Sequence, residues 1–176
     1  MKHFLTATLL ALISLTSAVH AEDGKLEVAG LTFKFAAPWA SVESTGMFRA
    51  GTLAAKVEGV EKPVEAVFYH FPGPGGGGGV EANVQRWLGQ FQGTPESKRE
   101  EIDAGGKKIT LVTATGTYND GPPMGAKTPK ENYTLLGAIV PTADGNNVFI
   151  KLTGPKDAIA KVSDSFRAMI TSPFAK

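Results

Sequence analysis

YTLLGAIVPTADGNNVFIKLTGP, residues 133–155, decides the fold. Two apolar runs, YTLLGAIVP (133–141) and NVFIKLT (147–153), flank TADGNN, a segment of turn-forming residues. Strands joined by so short a turn must lie antiparallel. Gly154–Pro155 then closes the second strand, and proline suits the first turn of a helix. Ile159, Val162, Phe166 and Met169 recur at helical spacing and make the inward face of that last element.

Upstream, the patterns alternate between the two periods. KLEVAGLTFKF reads as a strand or as a hairpin bent at Gly30, with Leu31, Phe33 and Phe35 on one face. AAPWASVES is a connector broken at Pro38, its Trp39 turned inward. MFRAGTLAAKV (47–57) and VEAVFYHF (64–71) are strands, the second rich in valine and aromatic residues. After the glycine run comes a helix expected over about 80–92, with Val80, Val84, Trp87, Leu88 and Phe91 as its buried stripe. KREEI and KKITLVTATGTY (107–118) follow, with a turn at Gly105–Gly106 and a long strand after it. NDGPPMGAKTPKEN (119–132) has no periodicity and reads as a loop.

The order is several strands, one helix, three strands and a terminal helix. Strands linked by short turns with two amphipathic helices to cover them predict one α+β domain, mainly antiparallel sheet flanked by helices. LTFKFAAPWASVES, a strand followed by proline–tryptophan, together with the central antiparallel sheet and C-terminal helix, resembles the Mog1/PsbP-like α/β/α sandwich family. GPGGGGGVEANVQRWLGQF with the later GTY, LLGAIV and VFIKLTGP is similar to secreted bacterial proteins of uncharacterised function. The resemblance spans nearly the whole mature chain and implies non-enzymatic binding or assembly roles. It carries no catalytic residue onto this sequence.

MKHFLTATLLALISLTSAVHA has a short basic start, an apolar stretch and small residues before Ala21, the pattern of a secretory signal peptide over 1–21. Its apolar stretch falls short of the roughly 20 residues that span a bilayer. The expected mature domain is 22–176, in the periplasm or outside the cell. Loss of Lys2 leaves 17 basic against 17 acidic residues. That balance argues against nucleic acid and against a polybasic membrane binder, and no mature run reaches membrane-spanning length. With no cysteine there can be no disulfide framework or thiolate site, and after processing His70 is the one histidine left.

Few residues remain for chemistry. Gly73 to Gly78 formally fits GxGxxG, between a strand and a helix. No Gly-Lys-Ser/Thr follows, and no parallel crossover with a ribose-binding acid accompanies it, so a nucleotide site is not expected. The amides of Gly75, Gly76 and Gly77 before a helix start suit a simple anion, although Glu81 already supplies negative charge there. The plainer reading is a flexible link that lets the chain turn onto the sheet, either mobile or ordered only on a partner. Asn83, Arg86 and Gln90 form a polar stripe, either a recognition face or a solvated one with Arg86 paired to an acid. In the 119–132 segment and beside it, Tyr118 and Lys127 offer contacts without a catalytic set. A cleft would form if this loop lay near the glycine loop. Glu61/Glu65 and Glu100/Glu101/Asp103, among Lys62, Lys98 and Arg99, read as solvated surface.

The expectation is a non-enzymatic domain of the cell envelope with an unidentified protein or small-molecule partner, engaged through Gly75, Gly76, Gly77, Asn83, Arg86, Gln90, Tyr118 and Lys127. It assigns no catalytic residue, metal or cofactor. The alternative is a small anion-binding hydrolase centred on His70 and the 73–79 glycine loop.

Overall fold

Ala29 and Gly30 both adopt positive φ, 51° and 75°, as a two-residue type I′ turn requires. They close a hairpin of β1 (Gly24–Val28) and β2 (Leu31–Phe35). The computed structural model describes residues 23–122 and 124–175, so the expected leader over 1–21 lies outside the described residues. The remaining strands are β3 (Trp39–Val42), β4 (Arg49–Ala55), β5 (Val64–His70), β6 (Glu96–Ala104), β7 (Lys107–Asp120), β8 (Thr128–Pro141) and β9 (Asn147–Pro155). They form one seven-stranded sheet in the order β3-β4-β5-β9-β8-β7-β6, antiparallel at every pairing. The helices are α1 (Val80–Leu88) and α2 (Lys156–Thr171).

Residues alternate between the two faces along each strand. Ala66 and Phe68 of β5, Leu136 and Ala138 of β8, and Val148, Ile150 and Leu152 of β9 point to the first face. There the β1–β2 hairpin and α2 cover them, with Phe33, Phe68 and Phe166 fully buried. Burial of each such ring is worth about 1.5–3 kcal/mol. Trp39 lies in this core, its Nε1 donating to Ser165 Oγ on α2 at 2.9 Å. The predicted inward face of α2 is buried in full. On the second face Val84, Trp87 and Phe91 pack on Val112, Leu135, Ile139 and Phe149. Two layers of cover on one sheet make the α+β α/β/α sandwich that the sequence predicts.

Three expectations need correction. The helix over 80–92 stops at Leu88. Beyond it, Gln92 N donates to Thr117 O and Asn119 N donates to Gln90 O, both at 2.8 Å, so pairing with β7 replaces helical bonding. KREEI lies within β6, a fourth strand after α1, and holds the sheet edge through nine residue pairs with β7. Its Lys, Arg and Glu side chains suit an edge that must not recruit another strand. The 119–132 loop shrinks to 121–127, because β7 continues to Asp120 and β8 begins at Thr128. In β8, residues before Tyr133 pair only with β7, so Pro129 sits where no second ladder needs its missing N–H. The result is a two-stranded arm that projects past the sheet.

Candidate functional site

Lys151 is the centre of the site. It sits mid-way along β9, between Val67 of β5 and Gly137 of β8 in register, on the face that carries Phe149. Gly137 has no side chain there because Trp87 fills the space; a Cβ would come within 2.3 Å of the indole. Lys151 therefore lies beside Trp87, under the exit of α1. Its Nζ donates to Gln90 Oε1 at 2.5 Å and to Tyr118 OH at 2.7 Å. Tyr118 OH donates in turn to Gln90 Oε1 at 2.9 Å, and Gln90 Nε2 donates to Arg86 O at 3.2 Å.

The arm supplies Tyr118. A register shift between Gly116 and Tyr118 re-aims the strand, and an isolated bridge ties Tyr118 to Phe91. Its ring meets Phe91 edge-on at 5.4 Å and stacks parallel to Tyr133 at 6.4 Å. Lys151 Nζ also lies 5.2 Å from the Tyr118 ring centroid, within cation–π range.

An ammonium has three donors, and two here go to neutral oxygens. No carboxylate among the described residues pairs with it. Burial pushes Lys151 from its ordinary 10.5 down to about 8, Asp120 opposes that shift, and the charges of Lys127 and Arg49 add to it. Burial likewise raises Tyr118 to about 12, with the charge of Asp120 and with Tyr69 adding to the effect. The cluster is a half-buried amine bonded to a buried phenol in a cationic setting, suited to holding an anionic or hydrogen-bond-accepting group.

The predicted residues divide around this centre. Gln90 and Tyr118 form it, and Lys127 contributes charge from the arm's tip while its Nζ donates to Gly121 O at 3.2 Å and to Pro122 O. Asn83 is not a recognition residue of an open face, since it is only 2% exposed. Its Nδ2 clamps the end of the glycine loop by donating to Gly77 O at 2.8 Å and Gly79 O at 3.0 Å. Arg86 pairs with Asn83 Oδ1 at 2.7 Å rather than with an acid. The nearby acid, Glu81, binds Arg99 at 2.8 Å. Gln85 and then Arg99, as hydrogen-bond donors, hold the Glu81 carboxyl below its usual range.

The glycine run is folded into turns rather than left as a free link. Gly76 N donates to Gly73 O and Gly78 N to Gly75 O, each at 3.1 Å, so the Gly76 amide of the expected anion cradle is already used within the loop, as is its neighbour at Gly78. Gly75 and Gly77 have φ of 68° and 78°. A Cβ on Gly77 would stand 2.5 Å from Phe149 and 2.7 Å from Phe71, so this glycine is required for close approach as well as for its φ.

Nor do the two loops frame one cleft. The glycine loop enters α1 at Gly79, whereas the arm meets the residues after α1's far end. Strand alternation puts His70 on the face of Phe68, opposite the Phe71 and Phe149 rings under Gly77. His70 Nδ1 is buried without a hydrogen-bond partner among the described residues. His70 and the glycine loop are not brought together.

Lys151 is the residue that sequence reading missed. The signal was present in VFIKL: a lysine within an otherwise apolar strand of a sheet covered on both faces.

No protein-family model and no curated relative matches the chain. A solved structure does: the solution structure of cyanobacterial PsbP (CyanoP) from Synechocystis sp. PCC 6803 aligns with a TM-score of 0.54 and 13% identity. The alignment covers 93% of this chain and 96% of that one. The fold is thus PsbP-like, a single α+β domain with two helices over a mainly antiparallel sheet. Among the described residues no helix is long and apolar enough to cross a membrane, and no cluster of three His, Asp or Glu side chains could hold a metal ion.

Proposed function

We propose that this chain is an exported, non-enzymatic binding domain of the cell envelope, and that its partner engages the surface around Gln90, Tyr118 and Lys151. The observation that carries the reading is Lys151: an amine drawn into the protein, bonded to two neutral oxygens, with no carboxylate paired to it. Folding alone gains nothing evident from that arrangement, because a buried charge without a counter-charge costs stability. A site that receives an acceptor from outside accounts for it. The PsbP-like fold and the leader-like first 21 residues support an accessory role outside the cytoplasm. The residues after α1 and the arm, rather than the glycine loop, are the contact elements in this reading.

The test has two parts. Intact mass of the exported protein should place its first residue at Glu22. A photo-crosslinking residue at Met124, on the exposed arm tip, should give a discrete adduct in the exporting cell that is lost in Lys151→Ala. The same residue at Asp157, on α2 of the other face, should give none. Absence of any Met124 adduct, or equal adducts at both positions, refutes the reading.

A further inference from the structure

The sheet face that α2 covers is left open toward the β6 edge. Along β7, the positions pointing to this face run Ile109, Leu111, Thr113 and Thr115, apolar in the core and then hydroxyl-bearing beyond it. Leu136 and Thr134 of β8 pair with Thr113 and Thr115 on one side. Lys98 and Glu96 of β6 pair with them on the other. Across from this floor, α2 presents Lys156, Ala160, Ser163, Asp164 and Arg167, one flank at helical spacing. The two walls enclose a groove of about 520 Å³, within the roughly 300–1,000 Å³ of small-molecule sites. At one end Arg167 Nη2 donates to Glu100 Oε1 at 2.8 Å and ties α2 to β6. Lys98 Nζ lies 3.5 Å from the same oxygen. Arg167, as hydrogen-bond donor, holds the Glu100 carboxyl below its usual range. The other end opens beside Thr115, Thr134 and Lys156, where β9 turns into α2 opposite Tyr133.

The charges lining the groove cancel, Glu96, Glu100 and Asp164 against Lys98, Lys156 and Arg167, so no net field selects a charged ligand. Nor is the floor apolar throughout. Thr115 Oγ1 and Thr134 Oγ1 lie 2.8 Å apart and share one hydroxyl hydrogen, which leaves the other for an acceptor from outside. Thr134 is only 6% exposed, so this pair belongs to the bottom of the groove and not to its rim. Leu111, Leu136 and Ile159 supply the apolar part of the lining. Among the described residues Glu96, Asp164 and Lys156 enter no ion pair, so two acceptors and a donor stand free along the rim. We infer that this groove binds a neutral mono- or disaccharide, its C–H face against Leu111, Leu136 and Ile159 and its hydroxyls bonded to the threonine pair, Glu96 and Asp164. Sugar hydroxyls both donate and accept, which matches a lining of hydroxyls, carboxylates and an ammonium. A polypeptide fits less well, because the Glu100–Arg167 tie closes the far end. A fatty acyl chain would cover the threonine hydroxyls without bonding them, at a cost. The site lies on the opposite sheet face from Lys151 and does not depend on the binding reading given above.

The experiment titrates the isotope-labelled mature chain with glucose, galactose, mannose, N-acetylglucosamine, maltose, cellobiose, lactose and N,N′-diacetylchitobiose, following amide chemical shifts. At least one of these should saturably shift Thr113, Thr115, Thr134 and Ser163 and leave the amides of α1 in place. Thr115→Val removes the hydroxyl and keeps the shape, and should weaken that sugar by about threefold or more. Asp164→Ala, at an exposed position, should weaken it by a similar factor. Ala160→Trp, also exposed, fills the groove and should abolish binding. Unchanged dispersion of the amide spectrum shows that the variants fold. Dodecanoate and leucine are titrated alongside. The inference is overturned if no sugar gives a saturable shift, if shifts fall only outside the groove, or if binding survives Ala160→Trp. Smaller losses in both Thr115→Val and Asp164→Ala overturn it too. So does occupation of the groove by dodecanoate or leucine when no sugar enters it. Any of these results leaves the expected Met124 adduct untouched, and absence of that adduct leaves the groove untouched.

Discussion

Raising the pH should stabilise this protein between pH 7 and 10, and Lys151 is the reason. A lysine whose folded value is about 8 against an ordinary 10.5 binds its proton more weakly when folded than when unfolded. The charged form is therefore penalised in the folded state. The penalty is fully present below pH 8 and fades as pH rises from 8 toward 10.5. At 1.36 kcal/mol per unit, the whole difference is about 3.4 kcal/mol, of which about 2.5 kcal/mol is recovered between pH 7 and 10. Tyr118 acts in the opposite sense. Its folded value of about 12 lies above the ordinary 10, so its contribution is complete below pH 10 and is lost from 10 to 12. At pH 10 it removes about 0.4 kcal/mol, leaving a net gain of about 2 kcal/mol. For a denaturant slope of about 2 kcal/mol/M, the urea midpoint should rise by about 1 M. Equilibrium urea unfolding at pH 7, 8, 9 and 10, followed by tryptophan fluorescence, measures it. Lys151→Met is the control: it removes the buried charge, and its midpoint should equal or exceed that of the parent at pH 7 and lack the rise. Parallel curves for the two proteins over this range would show that Lys151 is not held as the structure places it.

Other consequences follow from single contacts. Gly137→Ala puts a Cβ 2.3 Å from the Trp87 indole and should cost about 1–3 kcal/mol, seen as a lower Tm and a shifted Trp87 emission. Asn83→Ala leaves the carbonyls of Gly77 and Gly79 without their donor and frees Arg86. A loss of about 1–3 kcal/mol is expected, with faster hydrogen exchange confined to the glycine loop and the start of α1. The two loop glycines separate conformation from packing. Gly75 has open space around it, so Gly75→Ala should cost only its left-handed φ, about 1–2 kcal/mol. Gly77→Ala adds the collision with Phe149 and Phe71 and should cost clearly more in the same urea titration. Equal losses would mean that the loop does not pack on those rings.

What the sequence discloses here follows from how locally each feature is determined. The 133–155 hairpin, the α2 stripe and both buried tryptophans are legible because period and turn chemistry act over a few residues. β6 is obscured because KREEI is charged on the faces where a strand pattern would show, and an edge strand needs backbone pairing more than apolar side chains. The arm is obscured because its strands support only each other, so Pro129 and the glycines around 121–125 can sit beside a ladder that a central strand would refuse them. Asn83 looks like a surface residue since its i, i+3, i+7 partners are polar; that it turns back to hold Gly77 O and Gly79 O depends on how the preceding loop coils. Lys151 is the instructive case. Its neighbours Val148, Phe149, Ile150 and Leu152 are all buried, which already implies cover on both faces of β9, so the lysine between them must lie beneath something. Which groups would satisfy it cannot be read locally, because Gln90 and Tyr118 arrive from 61 and 33 residues away. A charged residue inside an apolar strand thus locates a site from sequence, whereas the partners that define its chemistry come only with the register of the whole sheet.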